Sequence, residues 1–237
     1  THCPFKNTKC LISNISMNKG YILASHPTYT FFNMETKNTL QDFVSNSIDK
    51  LTFFEGLNQD NAMQDSDMWR VNVLATRNLI QAAKEHKVRR FVQISSIVAY
   101  GNSAEGELDE THPVHADGGS YVLTKLASEH VVLSEQAKDD IEVVIIRPGD
   151  AYGPGSRPWI IAPLEAIAKN QFMLPEKGEG FFRPIYIDDL VRGIAMASKH
   201  SDADGEIFNL SCEGYMSTKD YFTPHYQWLG KKGPMLV

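Results

Sequence analysis

Cysteine is scarce in this 237-residue chain: Cys3, Cys10 and Cys212 are odd in number and lack paired metal-ligand spacing. A disulfide framework and a zinc site are therefore both unexpected. The histidines are scattered, and no His-x-x-x-His pair carries the glutamate of a zinc protease, so no metal is expected. Basic charge is in deficit, with Lys+Arg 23 against Asp+Glu 29 and a net charge of -6, which leaves no footprint for nucleic acid. No run approaches the roughly 18 apolar residues of a membrane-spanning helix, and THCPFKNTKC does not lead into a signal-peptide core. These absences predict a cytoplasmic globular protein without a nucleic-acid or membrane partner, and its 42% hydrophobic content is enough for a core.

What is present is a regular alternation of elements. In DMWRVNVLATRNLIQAAKEHKVRRFVQISS, Asp67 is expected to cap a helix with Leu79, Ile80, Ala82 and Ala83 on its apolar face, and KEHKVRR suits the helix C-terminus. The run Phe91 to Ile94 then reads as a buried strand ending at Ser95 and Ser96. A polar loop follows over 101–120, broken by Gly106, Pro113 and the pair Gly118 and Gly119. The pattern is helical from Tyr121 to about Lys138, and IEVVIIRP reads as a strand buried on both faces. Farther on, WIIAPLEAIAKN predicts a helix, FFRPIYIDDLVRGIAMASKH a short strand running into a helix capped by Asp188 or Asp189, and EIFNLS a late strand. In the first 65 residues, KCLIS suggests a strand, and METKNTLQDFVSNSIDKLTFFEG a helix feeding a short strand. Such alternation is the arithmetic of a parallel α/β sheet, whose ligands sit beyond the strand C-terminal ends.

YVLTK, Tyr121 to Lys125, puts a phenol and an ammonium on one helical face. A phenol of ordinary pKa near 10 is a poor proton shuttle at neutral pH, and a neighbouring ammonium favours its ionised form. Ser96, at the end of the preceding strand, can hydrogen-bond the same substrate oxygen. A second copy, YMSTK at Tyr215 to Lys219, has a different setting, because Ser217 or Thr218 is the expected N-cap of the helix that follows. It is read as coincidence.

From about Asp67 onward, VNVLATRNLIQAA, RRFVQISSIVAYG, DETHP, YVLTK, VVIIRPGDAYGPG, RPIYIDDLVRGIAMA and IFNLS stand in the order found in one family. With these motifs the chain resembles the extended short-chain dehydrogenase/reductases, the NAD-dependent epimerase/dehydratase family. The resemblance implies a Rossmann-like, doubly wound parallel sheet with a small C-terminal substrate lobe. The boundaries expected are 1–155 for the dinucleotide-binding domain and 156–237 for the lobe, with 183–212 returning to the sheet. It implies Tyr121 as catalytic acid/base, Lys125 as its partner, Ser96 as the hydroxyl that orients substrate and Asn72 as support for Lys125 through water. NAD or NADP is the implied cofactor, with Gly20, Ser95, Tyr121, Lys125 and Pro148 on its side of the site. Arg183 falls where nucleotide-sugar members hold a diphosphate. From their aromatic character, Trp159, Phe181 and Phe182 are open to two readings, as the wall of a substrate pocket or as the core of a small lobe. Arg147, Arg157 and Arg183 are open to two readings, as clamps on an anionic substrate or as ion-pair partners of the acidic loop.

The N-terminus departs from this pattern. Asn14 and Met17 stand where phosphate-loop glycines are expected, and only Gly20 remains of them. The main expectation is an NAD(P)-dependent oxidoreductase acting on a hydroxyl or ketone of a small apolar molecule, drawn from the hydrophobic segments RPWIIAPLEAI and FFRPIYI. The alternatives are a nucleotide-sugar epimerase or dehydratase, and a non-catalytic remnant that no longer binds the dinucleotide. A homodimer through the helices 67–87 and 121–138 is implied by the resemblance.

Overall fold

The computed structural model describes residues 50–53, 65–101, 106–214 and 216–237. These residues fall into two compact units: a sheet unit running up to Pro148 and taking in Ile194–Asn209, and a lobe of Gly149–Gly193 with Leu210–Val237. The N-terminal strand, Gly20 and Tyr215 lie outside the described residues.

The sheet has four strands in the order β1 (Lys50–Phe53), β2 (Arg90–Ile94), β3 (Glu142–Pro148) and β8 (Ile207–Leu210). Parallel pairing sets Phe91 opposite Val143 and Ile94 opposite Ile146, and Lys50 opposite Arg90 on the other side. The β-branched run of β3 is buried almost throughout, as a strand covered on both faces must be. Between β1 and β2 lie α1 (Asp65–Trp69), a π-helical turn (Arg70–Leu74) and α2 (Ala75–Glu85). Asp67 sits inside the first turn of α1 and pairs with Arg70 at 2.8 Å, so the expected cap at Asp67 is corrected to a side-chain pair within the helix. Leu79, Ile80 and Ala83 of α2 pack with Phe91, Val143, Ile145 and Val132, the last on α3 (Ser120–Gln136).

Arg90 shows how tightly this unit closes. Its side chain is fully buried in β2, with Nε 2.7 Å from Glu142, its register partner on β3. Nη1 donates to the carbonyls of Ala197 and Ser198 in the last turn of the helix Ile187–Lys199, where intrahelical donors run out, and to that of His200 just beyond it, which also accepts from the Ala203 amide. In that helix Asp188 and Asp189 both lie in the first turn, where a carboxylate complements the helix dipole, and Asp189 pairs with Arg192. Neither is the cap that the sequence suggested.

The lobe is built from short pieces. Strand β4 (Asp150–Tyr152) pairs in parallel with β7 (Pro184–Tyr186), β6 (Phe181–Phe182) runs antiparallel to β9 (Met216–Ser217), and β5 (Met173–Leu174) pairs with β10 (Met235–Leu236). Gly149 opens the lobe because any Cβ there would stand 2.2 Å from the Arg183 carbonyl oxygen. WIIAPLEAIAKN forms a π-helical turn (Arg157–Ile161) running into α4 (Ala162–Ala168); Ile187–Lys199 is α5, and α6 (Thr218–Trp228) closes the lobe. Ser217 caps α6 by accepting from the Asp220 amide at 3.0 Å, as expected for the second Tyr-x-x-x-Lys copy. The lobe core is aromatic: Tyr152, Phe182, Tyr221 and Phe222 pack together, with Trp159 and Tyr186 against them.

Candidate active site

Helix α3 begins abruptly after Gly119, and the reason is steric as well as conformational. A Cβ on Gly118 would lie 2.3 Å from the Val122 side chain, so only glycine lets the loop turn this closely into the helix. The first turn then carries Tyr121, and Lys125 follows one turn later on the same face. Lys125 is 2% exposed; its ammonium donates to the Ile94 carbonyl on β2 at 3.2 Å and lies 5.8 Å from the centre of the Tyr121 ring. A buried cation therefore stands near the partly exposed Tyr121 ring, where its influence on a developing negative charge is stronger than in bulk water.

Ser96 caps the 3-10 turn Ile97–Tyr100 by accepting from the Val98 amide at 3.3 Å. That bond uses an oxygen lone pair and leaves the hydroxyl proton to be donated to a substrate oxygen. Pro148 ends β3, and both Ser96 and Pro148 stand two residues past the last registered pair, Ile94 and Ile146, at the C-terminal edge of the sheet.

Asn72 lies in the π-helical turn and is wholly buried. Its Nδ2 donates to Thr124 Oγ1 at 3.0 Å, and Thr124 in turn donates to the Tyr121 carbonyl at 3.0 Å. Asn72 thus reaches the Tyr121 backbone through Thr124, a direct side-chain route beside the water-mediated support of Lys125 that the resemblance implies. A parallel link runs from Gln93 Nε2 to Ser128 Oγ at 3.4 Å and from Ser128 to the Lys125 carbonyl at 2.8 Å. Ser95 is buried, its amide donates to the Ile146 carbonyl at 2.7 Å, and its hydroxyl has no hydrogen-bond partner among the described residues.

Arg147 lies immediately before Pro148, and the sequence left it as a substrate clamp or a partner of the acidic loop. It is neither: its Nε and Nη2 meet Glu129 Oε1 and Oε2 of α3 at 2.9 and 2.7 Å, in a bidentate pair that is 3% and 2% exposed. Arg157 forms a loose exposed pair with Glu165 at 3.7 Å within the lobe. Glu129 is the residue that sequence reasoning missed. Its signal was its place four residues after Lys125 and eight after Tyr121, which continues their face of the helix.

Six of the expected site residues, Ser95, Ser96, Asn72, Tyr121, Lys125 and Pro148, belong to the sheet unit, whereas Arg183 and Trp159 belong to the lobe. Trp159 packs edge-on to Phe182 at 4.8 Å, and its carbonyl accepts from the Tyr221 hydroxyl at 3.2 Å and lies 3.0 Å from His225 Nε2. Arg183 donates from Nη1 to the Gly214 carbonyl at 3.3 Å and lies over the Phe181 ring. Its amide donates to Asp150 at 3.2 Å. Burial pushes the Asp150 carboxyl up to about 6 against the opposing effect of that amide. Burial, with the Asp150 charge adding to it, raises the Tyr221 phenol, and burial lowers the His225 imidazole.

The model of the NAD dependent epimerase/dehydratase family matches residues 11–211. The chain belongs to this family. Among similar proteins, a dTDP-glucose 4,6-dehydratase of Streptomyces niveus is 31% identical over 144 residues, 60% of this chain and 42% of that protein. The sterol-4-alpha-carboxylate 3-dehydrogenase ERG26 of Candida albicans is 29% identical over 166 residues, 67% of this chain and 46% of that one. The chain thus spans less than half the length of either curated relative. A UDP-glucuronic acid 4-epimerase from Bacillus cereus, solved with UDP-glucuronic acid and NAD, superposes with a TM-score of 0.72 at 23% identity, covering 84% of this chain and 65% of that one. That likeness establishes the Rossmann-like fold. The family is NAD-dependent by its description, and the similar proteins act on a nucleotide sugar in one case and a sterol in another.

Proposed function

We propose that the chain oxidises a secondary hydroxyl of a nucleotide sugar with NAD and returns the hydride to the resulting ketone, as an epimerase does. The observation that carries this reading is the buried Lys125 ammonium beside Tyr121, joined to a strand end bearing Ser96. Tyr121 takes the hydroxyl proton, Lys125 steadies the phenolate, and Ser96 donates to the same oxygen as charge develops on it. Lys125 and Tyr121 would hold the ribose at the nicotinamide end of NAD, Ser95 offers its buried hydroxyl there, and Pro148 would line the ring. The donor set fits that half of the cofactor; the phosphate cradle falls to the N-terminal residues around Gly20. NAD, when bound, supplies the hydride acceptor.

Epimerisation is favoured over dehydration by the residues after Ser96. Elimination of water needs an acid or base in addition to the tyrosine, and the turn continues with Ile97, Val98 and Ala99 before reaching Tyr100, which is buried and hydrogen-bonded. This reading replaces the small apolar substrate expected first. Dehydrogenation of an apolar alcohol stays as the second reading, supported by the sterol dehydrogenase relative and by the aromatic lobe. A homodimer through α1, α2 and α3 belongs to the same proposal, and the exposed Trp69 and Leu74 on that stretch support it; a clean monomer mass by light scattering would refute it.

Turnover tests the chemistry. UDP- and dTDP-sugars and a sterol alcohol are offered with NAD to the parent and to Tyr121→Phe. Turnover in the variant is expected to fall about 100- to 10,000-fold with the fold and NAD binding intact. An unchanged rate would remove Tyr121 from the chemistry, and a folded parent that binds no NAD would be the non-catalytic remnant.

A further inference from the structure

Three pieces of backbone carry the groups assigned above, and all three converge on one guanidinium. Helix α3 carries Tyr121 and Lys125 two turns and one turn before Glu129, which grips Arg147 through both carboxylate oxygens. Strand β3 carries Arg147 itself, with Pro148 as the next residue. The 3-10 turn opened by Ser96 ends in Tyr100, whose buried ring lies 4.9 Å beneath the Arg147 guanidinium. The Tyr100 hydroxyl extends the network, lying 3.0 Å from the Asp109 carbonyl and 2.9 Å from Asn209 Oδ1, and donating to one at a time. Asn209 then donates its amide to Glu110 at 2.7 Å, which ties strand β8 to the loop leading into α3. Every member of this network lies in the sheet unit.

A buried ion pair is a poor source of stability, because desolvating two charges offsets most of their attraction and a well-packed apolar pair often serves as well. What such a pair does supply is direction: a planar fork meeting a carboxylate at two points fixes angle as well as distance. We propose that Arg147, held by Glu129 and Tyr100, is a positioning residue that sets the mutual geometry of Ser96, Tyr121 and the Pro148 strand end. The inference rests on the reading of Tyr121, Lys125 and Ser96 as a hydride-transfer site. Arg147 touches no reacting atom; it acts on the rate through the three backbones it joins.

The decisive variant is the double replacement Glu129→Leu with Arg147→Met, which removes both charges and keeps the volume. Its melting temperature is expected to return close to that of the parent, while either single replacement, Glu129→Leu or Arg147→Met, lowers it by stranding a buried charge. With stability recovered, kcat should still be down about tenfold or more, since displacements near one ångström carry penalties of that order, while KM and NAD affinity stay within about threefold. Arg147→Lys, which keeps the charge and loses the fork, should show the same split between kcat and KM. Tyr100→Phe, which keeps the ring and removes the hydroxyl, gives a milder version should the double variant fail to fold.

A second readout needs no turnover: 3-fluorotyrosine placed at position 121 reports the setting of that ring by fluorine NMR. A shifted or split resonance in the folded double variant supports the positioning role, and so does the loss of kcat. Parental kcat together with an unmoved resonance in a stable double variant would overturn it. If the parent turns over none of the substrates offered, the functional reading fails on its own, and the fluorine resonance still decides whether Arg147 positions Tyr121.

Discussion

The sheet unit and the lobe bury ionisable groups in opposite ways. In the sheet unit Arg90, Lys125, Glu129 and Arg147 are each nearly inaccessible, and each has an opposing charge or a backbone carbonyl against it. In the lobe, Tyr221 and His225 lie among aromatic rings and Asp150 acts on the Tyr221 phenol, and burial moves all three toward their neutral forms. One unit keeps charge inside by pairing it; the other suppresses charge by desolvation. Fixed internal charge is what transition-state stabilisation requires, which is why the proton chemistry proposed above is assigned to the sheet unit.

The contrast breaks most visibly at Arg90. Arg90→Ala would leave the last carbonyls of α5 without the guanidinium and open a cavity in the sheet, while Glu142 keeps Arg89 at 3.2 Å, and unfolding in urea should show a loss of about 3 kcal/mol. A loss under about 1 kcal/mol would mean that water replaces the guanidinium at little cost.

Asp150 sharpens the lobe side through pH. Its native value of about 6 exceeds the ordinary 3.8, so the native carboxyl keeps its proton where the unfolded one has lost it. Stability from this group is therefore highest below about pH 4, falls as pH rises to about 6, and stays lowered above that. Asp150→Asn should accordingly stabilise the protein by about 2 kcal/mol at pH 8 and by nothing measurable at pH 3.5. Equal effects at both pH values would show that the carboxyl is not held neutral by burial.

Glu135 gives the smallest effect and the opposite sign. Lys138 and then Lys84 bind its carboxylate and lower it from 4.5 to about 2 against the effect of burial. The native state thus keeps this charge where the unfolded chain is protonated, and the resulting stability is present above about pH 4.5 and lost as pH falls toward 2. Since Lys138 is more than half exposed, Glu135→Gln should cost only about 0.5–1 kcal/mol at pH 7, and nothing at pH 2. A loss that persists at pH 2 would assign the effect to packing instead.

The difference between the units also explains what could be read from the chain. IEVVIIRP and the run Phe91 to Ile94 predicted buried strands because short, mostly apolar runs have few other uses, and YVLTK stood out because its spacing matches one helical turn. Glu129 and Arg147 are separated by 18 positions, and only the packing of α3 on β3 makes them a pair. Glu129 looked like an ordinary surface charge, and Arg147 read as a clamp on an anionic substrate or a partner of the acidic loop. Asp67, Asp188 and Asp189 were assigned as caps because acids favour helix starts, but that preference extends through the whole first turn and does not single out the cap itself. The π-helical turn at RVNVL had no sequence signal, since it contains neither glycine nor proline. Arg183 and Trp159 were named from motif order, and their contacts within the lobe depend on tertiary pairing of short strands that periodicity cannot register.

The most direct test of the hydride-transfer assignment is a single-turnover experiment. NAD-saturated protein is mixed with a nucleotide sugar, and the absorbance of reduced cofactor is followed in the parent and in Tyr121→Phe. The expected result is transient reduction in the parent and a rate at least about 100-fold lower in a variant that binds NAD equally well. Equal rates in the two proteins, or no reduction in a parent shown to bind both NAD and the sugar, would contradict it.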